Sequence, residues 1–337
     1  MADLKVMIIG SGFVAGLHLQ ALATCREAEI AGVVDLDAAK AESLARRCGG
    51  VPWSTDLQRA CAEWAPDAAI VCTPNSTHLD VGRALARQRV HVLMEKPLAT
   101  TYADALLLAG EFERSGLVLS AAHTHRFGRY ANAIRDVIRG GDIGVVRHVR
   151  FSALNGWIWA DWRGWQIDAE GSGGHALHNG VHALDLVTWW IDDVPVGVHA
   201  SGRKQSAAQL DIFDYLVITV RYASGATAVC EFSRASRPRA LSYRDVVVAG
   251  AEGVARLPWD GEGLRLHAVG RPGVLPAVPE PFEAQLRAWI GRILGADTAS
   301  VGAADGVRAV ALAEAAERSM ASGALIDLAQ ITGAGDG

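Results

Sequence analysis

Apolar positions along the chain follow one pattern up to about residue 121 and another beyond it. In the first stretch, "KVMIIG", "IAGVVDLD", "DAAIVCT" and "VHVLMEK" are strand-length runs with few polar interruptions. Such runs suit strands buried on both faces. Between them lie "FVAGLHLQALATC", "AAKAESLARRC", "LDVGRALARQ" and "DALLLAGEFERSG", which repeat apolar residues at helical spacing, and "LVLSAAH" closes the series. Strands alternating with helices predict a parallel sheet covered on both sides.

The pattern changes after about residue 123. "VVRHVRFSAL" reads as a strand, followed by the Gly- and Trp-rich "NGWIWADWRGWQIDAEGSGG". "FDYLVITVRY" and "ATAVCEFS", joined by "ASG", predict a hairpin, and "SYRDVVVAG" with "VARLPW" predicts another. "LRLHAV" is a candidate further strand, "RPGVLPAVPEP" a connector, and 282–294 and 303–322 are helical stretches. The expected fold class is α/β plus α+β. A doubly wound domain over 1–122 precedes an antiparallel α+β domain over 123–337. The uncovered face of the second sheet is expected to expose apolar side chains and to join copies into a homodimer or homotetramer.

Composition narrows the partners. The chain has 337 residues, half of them hydrophobic, and a net charge of -5. No long basic run favours nucleic acid or an anionic membrane. No apolar run reaches spanning length, and the N-terminus lacks a signal-peptide layout. The five cysteines are scattered, without a CxxC pair. A cytoplasmic location is expected on those grounds.

Chemistry concentrates in two places. Gly10-Ser11-Gly12-Phe13-Val14-Ala15 follows a strand and opens a helix, the context a dinucleotide-binding turn requires. Gly10 permits the turn, and Gly12 lets pyrophosphate approach the helix N-terminus, with Phe13 and Val14 next to it. Asp35 ends the second strand, where a carboxylate accepts the adenosine ribose hydroxyls and repels a 2′-phosphate, so NAD is the expected cofactor. The second place is "GHALHNGVHALD" at 174–185. His175, His178, His182 and Asp185 follow one another at spacings of three, four and three. On a helix they share one face. That face suits proton transfer, a metal or simple packing. The i, i+4 pair His178 and His182 with Asp185 has zinc-ligand spacing, but hydride chemistry needs no metal.

"HVLMEKP" at 91–97, taken with the glycine turn, "CTPNSTH" at 72–78 and "GGHALHNGVHALD" at 173–185, resembles the Gfo/Idh/MocA family from residue 4 to about 190. The resemblance implies a Rossmann domain joined to a domain with a large open antiparallel sheet. It also implies oxidation or reduction of sugars, cyclitols and their derivatives with NAD(P). The family's catalytic histidine ends a D-x-G-x-H pattern. Here the pattern is His178-Asn179-Gly180-Val181-His182, so His182 matches the histidine and His178 stands in for the aspartate.

Oxidising a secondary alcohol requires a base with pKa near neutrality and a group that stabilises the developing alkoxide. His182 is the expected acid–base group and Lys96 the expected oxygen-binding cation. Thr73, Asn75 and His78, with Glu95 and Lys96, are expected near the nicotinamide half of the cofactor. His178, Trp162, Trp165, Arg163, His125 and Arg126 are the candidate substrate residues. The tryptophans Trp157, Trp159, Trp162 and Trp165 suit either a sugar face or ordinary packing. Three readings follow: a dehydrogenase of a sugar, cyclitol or sugar acid; an enzyme that oxidises its substrate only transiently and returns the hydride; or a nucleotide-sensing regulator.

Overall fold

A computed structural model describes residues 4–156, 164–204, 210–236, 242–258, 265–268, 281–298 and 300–333. The chain divides into two compact units, Met1–Phe127 with Pro279–Val307, and Gly128–Val278 with Arg308–Gly337. The expected division at 122/123 differs in two ways: the first unit runs on to Phe127, and residues 279–307 belong to it as well.

In the first unit the strands are β1 (Leu4–Ile9), β2 (Ala28–Val34), β3 (Trp53–Ser54), β4 (Ala68–Val71), β5 (His91–Met94) and β6 (Leu119–Ala121). They form one parallel sheet in the order β3-β2-β1-β4-β5-β6. Helices α1 (Phe13–Leu22), α2 (Ala38–Arg47), α3 (Leu57–Trp64), α4 (His78–Arg87) and α5 (Tyr102–Arg114) connect them. Val6, Ile8, Ile70, Val92 and Leu93 are fully buried, as the uninterrupted apolar runs require. The order reverses between β1 and β4, the place where doubly wound sheets bind ligands at their strand ends.

The second unit adds α6 (Arg129–Arg139), β7 (Val146–Gly156), the short α7 (Ala169–Ser172), α8 (Val181–Ile191) and β8 (Pro195–Arg203). Strands β9 (Tyr215–Tyr222), β10 (Thr227–Ser236), β11 (Ser242–Gly250), β12 (Gly253–Pro258) and β13 (Arg265–Ala268) follow. Helix α9 (Pro281–Ile293) belongs to the first unit, where Leu286 and Trp289 join the core of α1 and β1. Residues 303–307 of α10 (Ala303–Ser322) belong to the first unit and the rest to the second, with β14 (Ile326–Asp327) and α11 (Ala329–Thr332).

The second sheet has the order β13-β12-β11-β7-β10-β9-β8-β14. It is antiparallel except for the central β7–β10 pair. The predicted hairpins β9–β10 and β11–β12 are both present. Alternation sends Leu216, Ile218, Val220, Ala228, Cys230 and Phe232 into the buried layer.

The opposite face departs from the expected apolar surface. It mixes Val217, Val229 and Val247 with polar groups. Tyr215 donates to Glu231 at 2.6 Å and Ser152 does so at 3.1 Å. Asp245 accepts from Arg150 at 2.6 Å and from Arg256 at 3.1 Å. The strands are amphipathic, so their strongly apolar residues are already spent on the layer beneath the sheet.

Candidate active site

The glycine turn is shaped by what lies against it. Gly10 has φ 88°, and a Cβ there would stand 2.6 Å from the Cys72 carbonyl oxygen. Only glycine accepts that conformation and that approach. Gly12 caps α1 without a side-chain hydrogen bond, and the first turn of the helix holds no acidic residue. Nothing lies within 4 Å of a Cβ built on Gly12. The N–H groups at the start of α1 are thus left for an external anion. Asp35 is held against this turn, its Oδ2 accepting from the Ser11 N–H at 2.7 Å and its Oδ1 from the Asp37 N–H at 2.9 Å. An open helix start beside a carboxylate fits the pyrophosphate and ribose of NAD. Phe13 is 87% exposed and Val14 half-buried, so neither belongs to the core of the turn.

The loop after β5 is fixed from two sides. Glu95 is buried, and the His18 ring of α1 meets its Oε1 at 2.8 Å. Burial favours the neutral carboxyl, but the His18 hydrogen bond and charge, with Lys96, outweigh it and hold Glu95 below the usual carboxylate range. Lys96 is half-buried, and the Lys96–Pro97 bond is cis.

His78 is fully buried, with Nδ1 2.7 Å from the Pro97 carbonyl and Nε2 3.0 Å from the Thr73 carbonyl. Burial lowers its pKa, although both carbonyls pull the other way. The neutral ring donates to one of these carbonyls and lies against the other, so His78 ties the loop after β4 to the loop after β5. Thr73 also accepts from the Thr77 hydroxyl at 2.8 Å, and Asn75 is buried at the start of a 3₁₀ turn. Arg126 is tied to Asp305 at 3.1 Å, while His125 beside it is half-buried.

In the second unit the histidine segment is not one uniform α-helix. Ala176–Gly180 forms a π turn, and α8 begins at Val181, just before His182. Such wide turns recur at functional sites. The four positions differ in their surroundings. His175 is buried, donates from Nδ1 to the Phe213 carbonyl at 2.8 Å and meets Phe232 edge-on at 5.4 Å. Burial pushes its pKa down to about 4, so it is neutral and part of the packing. His178 is buried with Trp165 edge-on at 5.1 Å. His182 is half-buried in the first turn of α8, and Asp185 is buried one turn further on.

Packing explains why α8 sits where it does. Gly180 lies so close to Phe232 that a Cβ would approach its ring to 2.4 Å. Trp190 is fully buried and donates to the Ala131 carbonyl of α6 at 3.0 Å. Arg135 of α6 pairs with Asp192, beyond the end of α8, at 3.2 Å. At the other end, Glu317 of α10 accepts the Ala176 N–H at 2.7 Å. Burial raises the Glu317 carboxyl to about 7, against that hydrogen bond.

Trp157, Trp159, Trp162 and Arg163 lie outside the described residues. Among the described residues no group of three His, Cys, Asp or Glu side chains is arranged to hold a metal ion. No helix among them is long and apolar enough to cross a membrane. Sequence reasoning passed over His18, Glu317, Tyr130, Arg234 and Arg244. Arg234 and Arg244 carried a usable signal, because each stands in the apolar phase of its strand.

A doubly wound sheet with an open glycine turn and a separate sheet unit bearing paired histidines define a dinucleotide-dependent oxidoreductase. Residues 4–123 match the oxidoreductase family with an NAD-binding Rossmann fold, and residues 131–256 match the GFO/IDH/MocA C-terminal domain. The chain belongs to the Gfo/Idh/MocA family, and its first unit carries that family's NAD-binding Rossmann fold. It is 24% identical to D-apiose dehydrogenase of Rhizobium rhizogenes over 97% of this chain and 98% of that one. It is 27% identical to glucose-6-phosphate 3-dehydrogenase of Bacillus subtilis over 64% and 63% of the two chains. The crystal structure of GenD2 from gentamicin A biosynthesis in complex with NAD superposes with a TM-score of 0.85, at 26% identity and 97% coverage of both chains.

Proposed function

We propose that this enzyme is an NAD-dependent dehydrogenase of a sugar, cyclitol or sugar acid. The observation that carries the reading is the pairing, in one chain, of the open glycine turn with a histidine segment whose His178 lies against an indole. The similarity to D-apiose dehydrogenase over nearly the whole chain supports a sugar-like substrate.

Bound NAD supplies the hydride acceptor. His182 takes the hydroxyl proton as the C–H hydride leaves, giving a ketone, and returns it in the reverse direction. Lys96 holds the reacting oxygen and stabilises its developing negative charge. His178 binds a neighbouring hydroxyl, and Trp165 offers an apolar wall to the ring C–H groups. The proposal includes a homodimer or homotetramer, against which a monomer at micromolar concentration in light scattering would count.

The test is NADH formation across a panel of sugars, cyclitols and aldonic acids. Stoichiometric NADH release identifies a dehydrogenase. Product formation without net NADH identifies transient oxidation. Failure of every substrate to turn over, with NAD bound, points to the regulator.

A further inference from the structure

The buried face of the second sheet changes character at one end. Strand pairing aligns Phe151 and Ala153 of β7 with Cys230 and Phe232 of β10, and with Val246 and Arg244 of β11. Directly paired residues point to the same face, so Arg244 shares the face of Ala153 and Phe232, which packs beneath His175 and Gly180. Asn155 follows Ala153 in the same phase and is buried. Arg234 follows Phe232 where the register of β10 shifts, and its charge acts on His175.

Placing a cation on an apolar face is costly, and placing two together costs more. Arg234 is half-buried, and burial together with Arg244 brings its pKa down to about 10. Among the described residues no carboxylate pairs with Arg234. Arg244 also acts on Tyr130, a residue that Asp185 of the histidine helix reaches electrostatically from its own side. The two guanidiniums, Tyr130 and the histidine segment thus belong to one neighbourhood within the second unit. Asp185 and Asp214 act on the same neighbourhood, but Arg234 itself is opposed both by burial and by a second guanidinium; a cation held so marks an anion site, and guanidinium is the donor suited to carboxylate and phosphoryl oxygens.

We propose that Arg234 and Arg244, with Asn155, form an anion subsite beside the histidine segment, so that the substrate is a sugar or polyol bearing a carboxylate or phosphoryl group. This rests on the reading of that segment as the substrate site. It narrows the substrate class to anionic members and sets neutral sugars and cyclitols aside.

Calorimetry on the NAD-loaded full chain tests it, with D-gluconate and D-glucose 6-phosphate as anionic probes and D-glucose and myo-inositol as neutral ones. One anion is expected to bind about tenfold or more tightly than either neutral probe, and which one does so distinguishes carboxylate from phosphoryl. Arg234→Met should remove that preference by about tenfold while leaving NAD affinity unchanged, and Arg234→Lys should recover part of it. Without probe, Arg234→Met should melt no lower than wild type, because it removes a repelled cation. If it does not fold, Arg244→Lys and Arg234→Lys carry the test through a smaller loss of anion affinity.

Equal affinity for neutral and anionic probes, failure of both anions to bind at millimolar concentration, or unchanged anion affinity in the folded variants overturns the proposal. His182→Ala run in parallel should keep anion binding. A failure of the proton-transfer reading is therefore separable from a failure of the subsite.

Discussion

In the first unit Glu95 meets His18 and Arg126 meets Asp305; in the second, Arg244 repels the charge of Arg234 and Glu317 meets a lone backbone N–H. In the first unit these buried charges are neutralised internally, and the helix start at Gly12 has no side-chain cap. His18 ties the loop after β5 to α1, and His78 ties it to the loop after β4. The histidine end of the second unit leaves charge imperfectly compensated. Such regions trade stability for binding, and a substrate rather than the fold completes them. On the proposed reading, the contrast gives general chemistry to the first unit and substrate choice to the second.

The largest effects should come from the groups proposed to act on the reacting atoms. His182→Ala and Lys96→Ala should each lower kcat by about 10²- to 10⁴-fold, while calorimetry finds NAD still bound. A folded His182→Ala protein with full turnover would remove the histidine end from catalysis and collapse the comparison.

Gly10→Ala probes the first unit's dependence on shape. Both φ 88° and the approach to Cys72 oppose a side chain there. A loss on the order of 3 kcal/mol in chemical denaturation is expected, together with weakened NAD binding. Wild-type stability and NAD affinity would mean that the turn is less tightly determined than its contacts indicate.

Glu317→Gln probes the second unit's uncompensated charge. The folded-state pKa of about 7 lies above the ordinary 4.5. The native state therefore holds its proton more firmly than the unfolded chain. This contribution to stability is complete below about pH 4.5 and is lost as pH rises through 7. Glutamine keeps an acceptor for Ala176 and does not ionise. Its advantage over wild type should grow between pH 5 and pH 8 to on the order of 2 kcal/mol. Melting curves that stay parallel across that range would show Glu317 to be compensated after all.

Asp35→Ser should produce the smallest effect, weakening NAD by about tenfold and narrowing the gap to NADP. Calorimetry in which wild type prefers NADP would overturn the role given to this carboxylate, although its two backbone hydrogen bonds would stand.

Much of the first unit was legible from local pattern alone. Strands buried on both faces write themselves as continuous apolar runs, and the Gly10–Gly12–Asp35 spacing encodes a turn, a helix start and a strand end within one supersecondary element. The hairpins β9–β10 and β11–β12 were equally local. Strand β8, "PVGVHASGR", carried a weak signal and went unread, and helix α6 went unread although Ala131, Ile134 and Val137 repeat at helical spacing.

The expected substrate role of Arg126 shows a different limit. Its ion-pair partner Asp305 lies 179 positions away, on a segment that returns to the first unit only after the second has been built. His78 is similar: its motif marked it as a site residue, but only the meeting of two loops revealed that its ring lies between two carbonyls.

Sequence by itself determined the parallel sheet, the dinucleotide turn and the presence of a polar histidine segment, since each depends on residues within one or two elements. Tertiary structure decided which histidine is packing and which is accessible, because His175 is buried against Phe232 while His182 stays half-buried at the start of α8. It also decided that Arg234 and Arg244 act together. Each stands in the apolar phase of its own strand, but they become neighbours through β7, which pairs with β10 and β11 across long stretches of chain. Periodicity specifies a face; only the register of distant strands specifies who shares it.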